Sequence, residues 1–409
     1  MLRINPFAAL RPQSNRASQV ACVPYDVINT EEARQLAEGL PDSFLHVIRS
    51  EIDLPQDTNP YDAKVYERAK RNLDDLVNRR VLNREEKPTI YLYRQVMNHR
   101  EQLGVVACCH IDDYLTDIIK KHEKTRKDKE DDRTRHVLTL KANAEPVFLA
   151  YRDQRDIDKL AARDTNDRPL FHFVAKDGVT HTLWTVRDPA PYIKEFAKLP
   201  AAYIADGHHR SASAARAGAE LRSANPKHTG HEEYNWFLAV LFPASQLTIM
   251  PYNRVVADLA GQTADQVMKR IGDVGVITEV KAPMPEKPGV FCVYVGGKWS
   301  RVEIKPALID KKDPIASLDV SLLQNLVLQP ILNIGDPRTD KRIDFVGGIR
   351  GTAELENRVN SGAAAIAFSM YPTTIEQVFA VSDAGQIMPP KSTWFEPKLR
   401  SGLFVHTLD

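Results

Sequence analysis

Tyr203–Ala219 reads Y-I-A-D-G-H-H-R-S-A-S-A-A-R-A-G-A, and the rest of the chain is organised around it. Tyr203, Ile204 and Ala205 suit the end of a buried strand, and Asp206-Gly207 suits a tight turn. From His209 the composition predicts a helix, with Ala212, Ala214, Ala215, Ala217 and Ala219 as a small-residue face. A strand that runs through a glycine turn into a helix start presents free backbone N–H groups and the positive end of the helix dipole. That is a seat for a phosphate or a carboxylate. Asp206, His208, His209 and Arg210 stand on the seat and bring base, proton-shuttle and anion-clamp chemistry. A lone histidine in such a turn reads as an ordinary surface residue. Four reactive side chains in the five positions 206–210 mark a candidate site.

Composition limits what that site can serve. At 409 residues the chain is too long for one ordinary core. A hydrophobic share of 43% with 27% charged residues describes a globular protein, and the formal net charge of +1 gives no global attraction to nucleic acid or anionic lipid. The four cysteines, Cys22, Cys108, Cys109 and Cys292, lie among apolar residues without a C-x-x-C pair, which fits buried, reduced thiols. No long apolar run follows the N-terminal M-L-R-I-N-P-F, and no segment approaches the roughly 20 apolar residues of a membrane span. The expectation is a cytoplasmic protein.

Upstream, V-P-Y-D-V at 23–27 is held extended by Pro24, so that Tyr25 and Asp26 can project into a cleft. Ser43–Ile48 reads as a strand, Tyr61–Val81 as a helix, and Thr89–Gln95 with Gln102–Ile111 as an antiparallel hairpin. Asp112–Leu140 reads as one highly charged helix: thirteen of the sixteen residues from Lys120 to Arg135 are Asp, Glu, Lys or Arg. Opposite charges three and four apart, such as Glu123 with Arg126 and Lys127, suit a solvated helix. His122, Arg126, Lys129, Arg133 and His136 also recur at +4, +3, +4, +3, which places them on one basic stripe. Such a stripe faces either water or an anion such as a phosphate. Glu145–Tyr151 and Trp236–Phe242 read as buried strands, and Leu318–Leu332 as an amphipathic helix.

Four separated motifs occur in order: V-P-Y-D-V-I, I-I-K-K-H-E-K-T-R-K-D-K-E-D-D-R, Y-I-A-D-G-H-H-R and P-P-K-S-T-W-F-E-P-K-L-R-S-G-L. Together they resemble the prokaryotic family called domain of unknown function 1015 over nearly the whole chain. More distantly, a strand, G-x-x-R and an alanine-rich helix are similar to the nucleotide-binding signature of the ParB/sulfiredoxin-like superfamily. That superfamily includes chromosome-partitioning nucleotidases, sulfiredoxin and a free-serine kinase with a D-G-H-x-R motif. The resemblance implies an α+β fold: a ParB/sulfiredoxin-like core of mixed sheet and helices with an additional C-terminal α/β domain. The expected division is residues 1–85 contributing to the core, 86–260 the core itself, and 261–409 the C-terminal domain with its closing tail.

The same likeness implies roles. Gly207 permits close backbone approach to phosphates, Arg210 clamps a phosphate oxygen, and His209 makes a second phosphate contact. Asp206 and His208 serve as base or proton shuttle, and Glu123 of K-H-E-K-T-R is the carboxylate that activates a hydroxyl or holds Mg2+. Apart from that likeness, if the basic stripe faces an anion rather than water, His122, Arg126, Lys129 and Arg133, with Thr125 between them, complete the phosphate contacts. Lys391 and Ser392 of K-S-T close over the anion, although no glycine-rich P-loop precedes them. Gly347–Gly351 offers a weaker second anion loop. Adjacent histidines on a helix start diverge by about 100°, so His208 and His209 do not by themselves make a metal site.

The expected activity is a nucleotide-dependent phosphotransferase or nucleotidase acting on a small hydroxyl metabolite, for example a serine-like one, with ATP or ADP and Mg2+. The alternatives are a metal-dependent phosphoester hydrolase with Asp206, His208 and Glu123 as ligands, and a non-enzymatic module that senses a nucleotide or phosphometabolite. The partner is such a small molecule. No DNA-reading helix-turn-helix follows the motif, which speaks against nucleic acid, no membrane is expected, and a homo-oligomer is compatible with the sequence.

Overall fold

A computed structural model describes residues 1–409. The chain forms a mixed α+β fold in two compact units, Met1–Leu247 with Pro397–Asp409, and Thr248–Glu396. The sequence suggested breaks at 85/86 and 260/261. The N-terminal segment shares a unit with the central residues, the break falls at 247/248, and the closing tail returns to the first unit. Val405 exchanges backbone hydrogen bonds with Leu10, and Ser401 with Cys22.

The first unit is built on a nine-stranded sheet. Its middle is the strand Trp236–Pro243, W-F-L-A-V-L-F-P, an unbroken apolar run because both of its faces are covered. It pairs parallel with Val147–Tyr151 and antiparallel with Arg100–His110, so the sheet is mixed. The hairpin Tyr91–Met97/Arg100–His110 turns on Asn98 and His99, whose φ angles of 50° and 64° match the twist of the flanking strands. On the other side, Val147–Tyr151 pairs with Ala202–Asp206, and Ala202–Asp206 carries the two-residue edge strand Ile119–Lys120. Ala212, Ala214, Ala215 and Ala217 of the helix His208–Ala224 are buried, and that helix packs against the helix Lys127–Leu140. A second core in this unit gathers Phe44, Val47, Ala69, Leu73, Leu76 and Val405.

Three sequence expectations change here. Asp112–Leu140 is not one helix: Ile111–Leu115 is helical, Asp117 takes a φ of 57°, Ile119–Lys120 joins the sheet, and a helix resumes at Lys127. Ile119 is fully buried in the sheet core, which outweighs the helical propensity of its charged neighbours. His122 and Arg126 therefore lie off the helix, and the stripe shrinks to Lys129, Arg133 and His136. Ser43–Ile48 contains the short helix Leu45–Ile48, with Leu45, Val47 and Ile48 all buried, instead of a strand. Leu318–Leu332 is interrupted by a π-helical segment over Gln324–Leu328.

The second unit holds a six-stranded sheet in the order Gly275–Glu279, Lys298–Ile304, Val290–Val295, Ile366–Met370, Tyr252–Val256, Ile343–Gly347. Every pairing is antiparallel, so this unit is α+β and not the expected α/β. No helix of the protein is long and apolar enough to cross a membrane.

Candidate active site

The strand Ala202–Asp206 delivers Asp206 to the sheet edge, Gly207 turns with φ 97°, and the helix begins at His208. Only glycine fits here. A Cβ on residue 207 would sit 3.0 Å from Arg210 Nε and 3.1 Å from its Cζ, at a backbone conformation other residues rarely adopt. The helix starts without a side-chain cap, so its first N–H groups and dipole face the turn.

The loop between Ile119–Lys120 and Lys127–Leu140 crosses the mouth of this turn. Backbone N–H of His122 donates to His208 Nε2 at 3.5 Å, and backbone N–H of Arg126 donates to His209 Nε2 at 3.0 Å. Burial lowers the pKa of both His208 and His209, so both rings are neutral accepting partners. Acceptance at Nε2 assigns the His208 proton to Nδ1, which faces Glu123 Oε2 at 3.7 Å. The His122 and His208 rings meet edge to face with centroids 4.5 Å apart. Glu123 and the Asp206–Arg210 turn therefore meet in space, with the Glu123 side chain half exposed at 50%.

Beneath the turn lies a buried charge cluster. Arg210, 6% exposed, donates from Nη1 to Pro146 O at 2.6 Å and from Nη2 to Asp206 Oδ2 at 3.3 Å, with Asp26 Oδ2 3.6 Å away. Burial opposes its charge, but Asp26, Asp206 and Glu145 keep it protonated. Asp206 also accepts from the Gly207 N–H at 3.1 Å and has Lys398 Nζ 3.6 Å away. Burial pushes the Asp206 pKa up, yet Lys398 and Arg210 hold it well below the usual carboxylate range. Arg133 Nε donates to Asp132 at 2.9 Å, and its guanidinium lies 4.3 Å from the centre of the Tyr25 ring. Glu145 accepts from the Tyr25 N–H and Ser401 Oγ, both at 3.1 Å. Burial raises the Glu145 pKa against the pull of Arg210 and Arg133.

The sequence model of the family described as a protein of unknown function (DUF1015) matches residues 4–321. The chain belongs to that family. No curated protein matches it significantly. Among solved structures, it is similar to free serine kinase in complex with AMP, at 11% identity and a TM-score of 0.33, covering 73% of this chain and 92% of that one. It is also similar to a conserved hypothetical protein from Pyrococcus furiosus, at 14% identity, a TM-score of 0.34 and coverages of 74% and 95%. SbnI with C-terminal truncation from Staphylococcus aureus gives 11% identity, a TM-score of 0.39 and coverages of 74% and 87%.

In this DUF1015 chain the turn gathers Asp206, Gly207, His208, His209 and Arg210 with His122, Glu123 and Arg126, but several partners differ from those expected. Arg210 commits its fork to Asp206 and Pro146, so its observed task is to fix the Asp206 carboxylate. His209 is occupied by the Arg126 backbone. Thr125 Oγ1 donates to Glu130 at 2.9 Å, and the exposed Arg126 side chain pairs with Asp128. Lys129 Nζ donates to Tyr61 Oη at 2.7 Å, and Arg133 belongs to the buried cluster. Lys391 and Ser392 are part of the second unit, where Lys391 Nζ lies 5.4 Å from the Tyr252 ring centre and Ser392 Oγ donates to Pro389 O. Asp206, His208 and Glu123 do not form a metal-holding set, because no group of three His, Cys, Asp or Glu residues converges that way. Glu145 and Lys398 were not foreseen. Both were marked in the sequence, Glu145 as a carboxylate opening an apolar strand before Pro146, and Lys398 inside the W-F-E-P-K-L-R tail motif.

Proposed function

We propose that the chain is a nucleotide-dependent phosphotransferase acting on a small hydroxyl metabolite, with the nucleotide phosphates at the first turn of the helix His208–Ala224. The observation that carries this reading is the position of Glu123, half exposed and 3.7 Å from the neutral His208 ring, at the mouth of a turn whose helix N–H groups face outward. In the transfer, Glu123 takes the proton of the substrate hydroxyl as its oxygen bonds to the transferred phosphorus, and the bond to the departing nucleotide breaks. His208 Nδ1–H orients the Glu123 carboxylate. Asp206, ionised at any physiological pH, suits cation binding rather than proton abstraction. Asp206 is the residue that would hold a Mg2+ brought with ATP or ADP, and such an ion would supply charge neutralisation for the phosphates. The likeness of D-G-H-H-R to the D-G-H-x-R of a free-serine kinase supports the reading, and with it a ParB/sulfiredoxin-like core.

Calorimetric titration with AMP, ADP and ATP, with and without Mg2+, tests the binding half. Absence of binding by all three, and by the cytosine nucleotides titrated in the same way, removes the proposal. For the chemical half, Glu123→Gln is expected to keep nucleotide affinity within about threefold while turnover falls by about 10²-fold or more. One observation favours a second reading, a sensing module without turnover. His209 and Arg210 already have partners within the chain, as in a site that only binds. That reading predicts affinity that Asp206→Asn weakens and no product with any hydroxyl acceptor.

A further inference from the structure

Beside the turn, in the same unit, lies a cavity of about 240 Å³ that includes none of residues 206–210. We propose that it is a second binding site, for a compact hydroxyl-bearing molecule with one anionic group, a carboxylate or a phosphate, and that it receives the phosphoryl acceptor. As an acceptor pocket it rests on the transferase reading; as an anion site it does not.

The volume is that of about eight waters, enough for a molecule of six to ten heavy atoms at most by the same measure. One wall is a single helical face, Lys129, Asp132, Arg133 and His136, spaced three and four apart. Thr30, Arg49, Glu51 and Tyr61 also line it. Three cations, Arg49, Lys129 and Arg133, face two carboxylates, Glu51 and Asp132, which leaves a surplus of one positive charge. His136 adds none, because burial and Arg133 lower its pKa to about 3.

The cations are held in place but incompletely answered. Arg49 Nη2 donates to Thr30 Oγ1 at 2.9 Å and its Nε lies 3.0 Å from Glu51, yet that N–H is buried with no acceptor in line. Arg133 Nη1 is also buried without a hydrogen-bond acceptor, its nearest further carboxylate being Glu145 at 3.9 Å. Buried donors are almost always satisfied, so two such guanidinium groups on one cavity point to a missing anion. Arg133 and Tyr25 also join the cavity to the cluster under Asp206, since the Tyr25 ring stacks on Arg133 and Asp26 lies next to Arg210. These contacts link the cavity to the Arg210–Asp206 cluster that underlies the phosphate seat.

The test uses the full chain without nucleotide and three probes that share a three-carbon polyol skeleton: glycerate, glycerol 3-phosphate and glycerol. Calorimetry is expected to show binding of one or both anions and none of glycerol. Whichever anion binds more tightly identifies a carboxylate or a phosphate ligand. Arg49→Met and Lys129→Met should each weaken the anion about tenfold or more, while ADP affinity at the turn changes less than about twofold. Lys129 is only partly buried, so its variant reports on binding even if Arg49→Met perturbs folding. The proposal is overturned if neither anion binds at about ten millimolar, or if both variants bind it like the parent chain. ADP binding with no anion binding removes this site and leaves the transferase reading; anion binding without ADP binding does the reverse.

Discussion

Gly207→Ala probes the geometry that holds the candidate site together. Two costs follow from the structure. Alanine at φ 97° adopts a left-handed conformation that costs roughly 1–2 kcal/mol. Its Cβ also lands 3.0 Å from Arg210 Nε, and the guanidinium is fixed by Pro146 O and Asp206. If Arg210 retreats, one hydrogen bond to a charged group is lost, about 1.5–3 kcal/mol. The sum is about 2.5–5 kcal/mol, a fall in Tm of roughly 5–20 °C at about 2–4 °C per kcal/mol for a domain of this size. Gly39→Ala is the matched control, because Gly39 has φ +70° with nothing within 4 Å of its added Cβ. It should show the backbone cost alone. Urea unfolding of both variants separates the two contributions. Equal losses within about 0.5 kcal/mol, against the 1.5–3 kcal/mol expected from the Arg210 bond, would refute the idea that close approach of Arg210 requires this glycine.

Three further outcomes follow from the same geometry. His46 Nδ1 lies 2.8 Å from Asp53, and that hydrogen bond raises the His46 pKa, while burial opposed by His46 and Asn72 leaves Asp53 lowered. The histidine contribution is lost as pH rises through its raised value and the aspartate contribution as pH falls through its lowered one. The pair therefore stabilises most at about pH 4.5–6.5, between the ordinary values of the two groups. His46→Asn should destabilise more at pH 6 than at pH 8.5, and equal losses would contradict this. Burial lowers His122 to about 4 and His181 to about 3, so both stay neutral in the folded state while unfolding lets them bind protons. Stability should fall as pH drops from about 6.5 toward 4, by up to ~1.4 kcal/mol per pH unit per group, and proton NMR should show neither imidazole titrating near 6.5. Ending the chain at Glu396 removes buried Leu399, Leu403, Phe404 and Val405 from the first unit, about 6–12 kcal/mol of burial. Rapid proteolysis of residues 1–247 is expected, and unchanged resistance would contradict the account.

The turn was legible because Asp-Gly before an alanine-rich run has few other local solutions, and the Asn98-His99 hairpin because two hydrophobic runs flank a polar pair. The loop at 121–126 was not. Its charges continue a helical pattern, and only pairing of Ile119 with Ala202, 83 residues away, explains why the helix stops and restarts. His208 and His209 read as reactive groups by their type. Their partners are backbone N–H groups of His122 and Arg126, which side-chain chemistry cannot reveal. The inward turn of Arg210 depends on Pro146 and Asp26, and the role of Lys398 depends on a tail that returns after the entire second unit. Long-range pairing decided each of these.

A crystal structure of the protein soaked with ADP tests the central claim most directly. The account predicts phosphate oxygens within hydrogen-bond distance of the backbone N–H groups of His208, His209 and Arg210, with Glu123 facing open space beside the terminal phosphate. Nucleotide bound elsewhere, or none at an ADP concentration that saturates binding in solution, would contradict it.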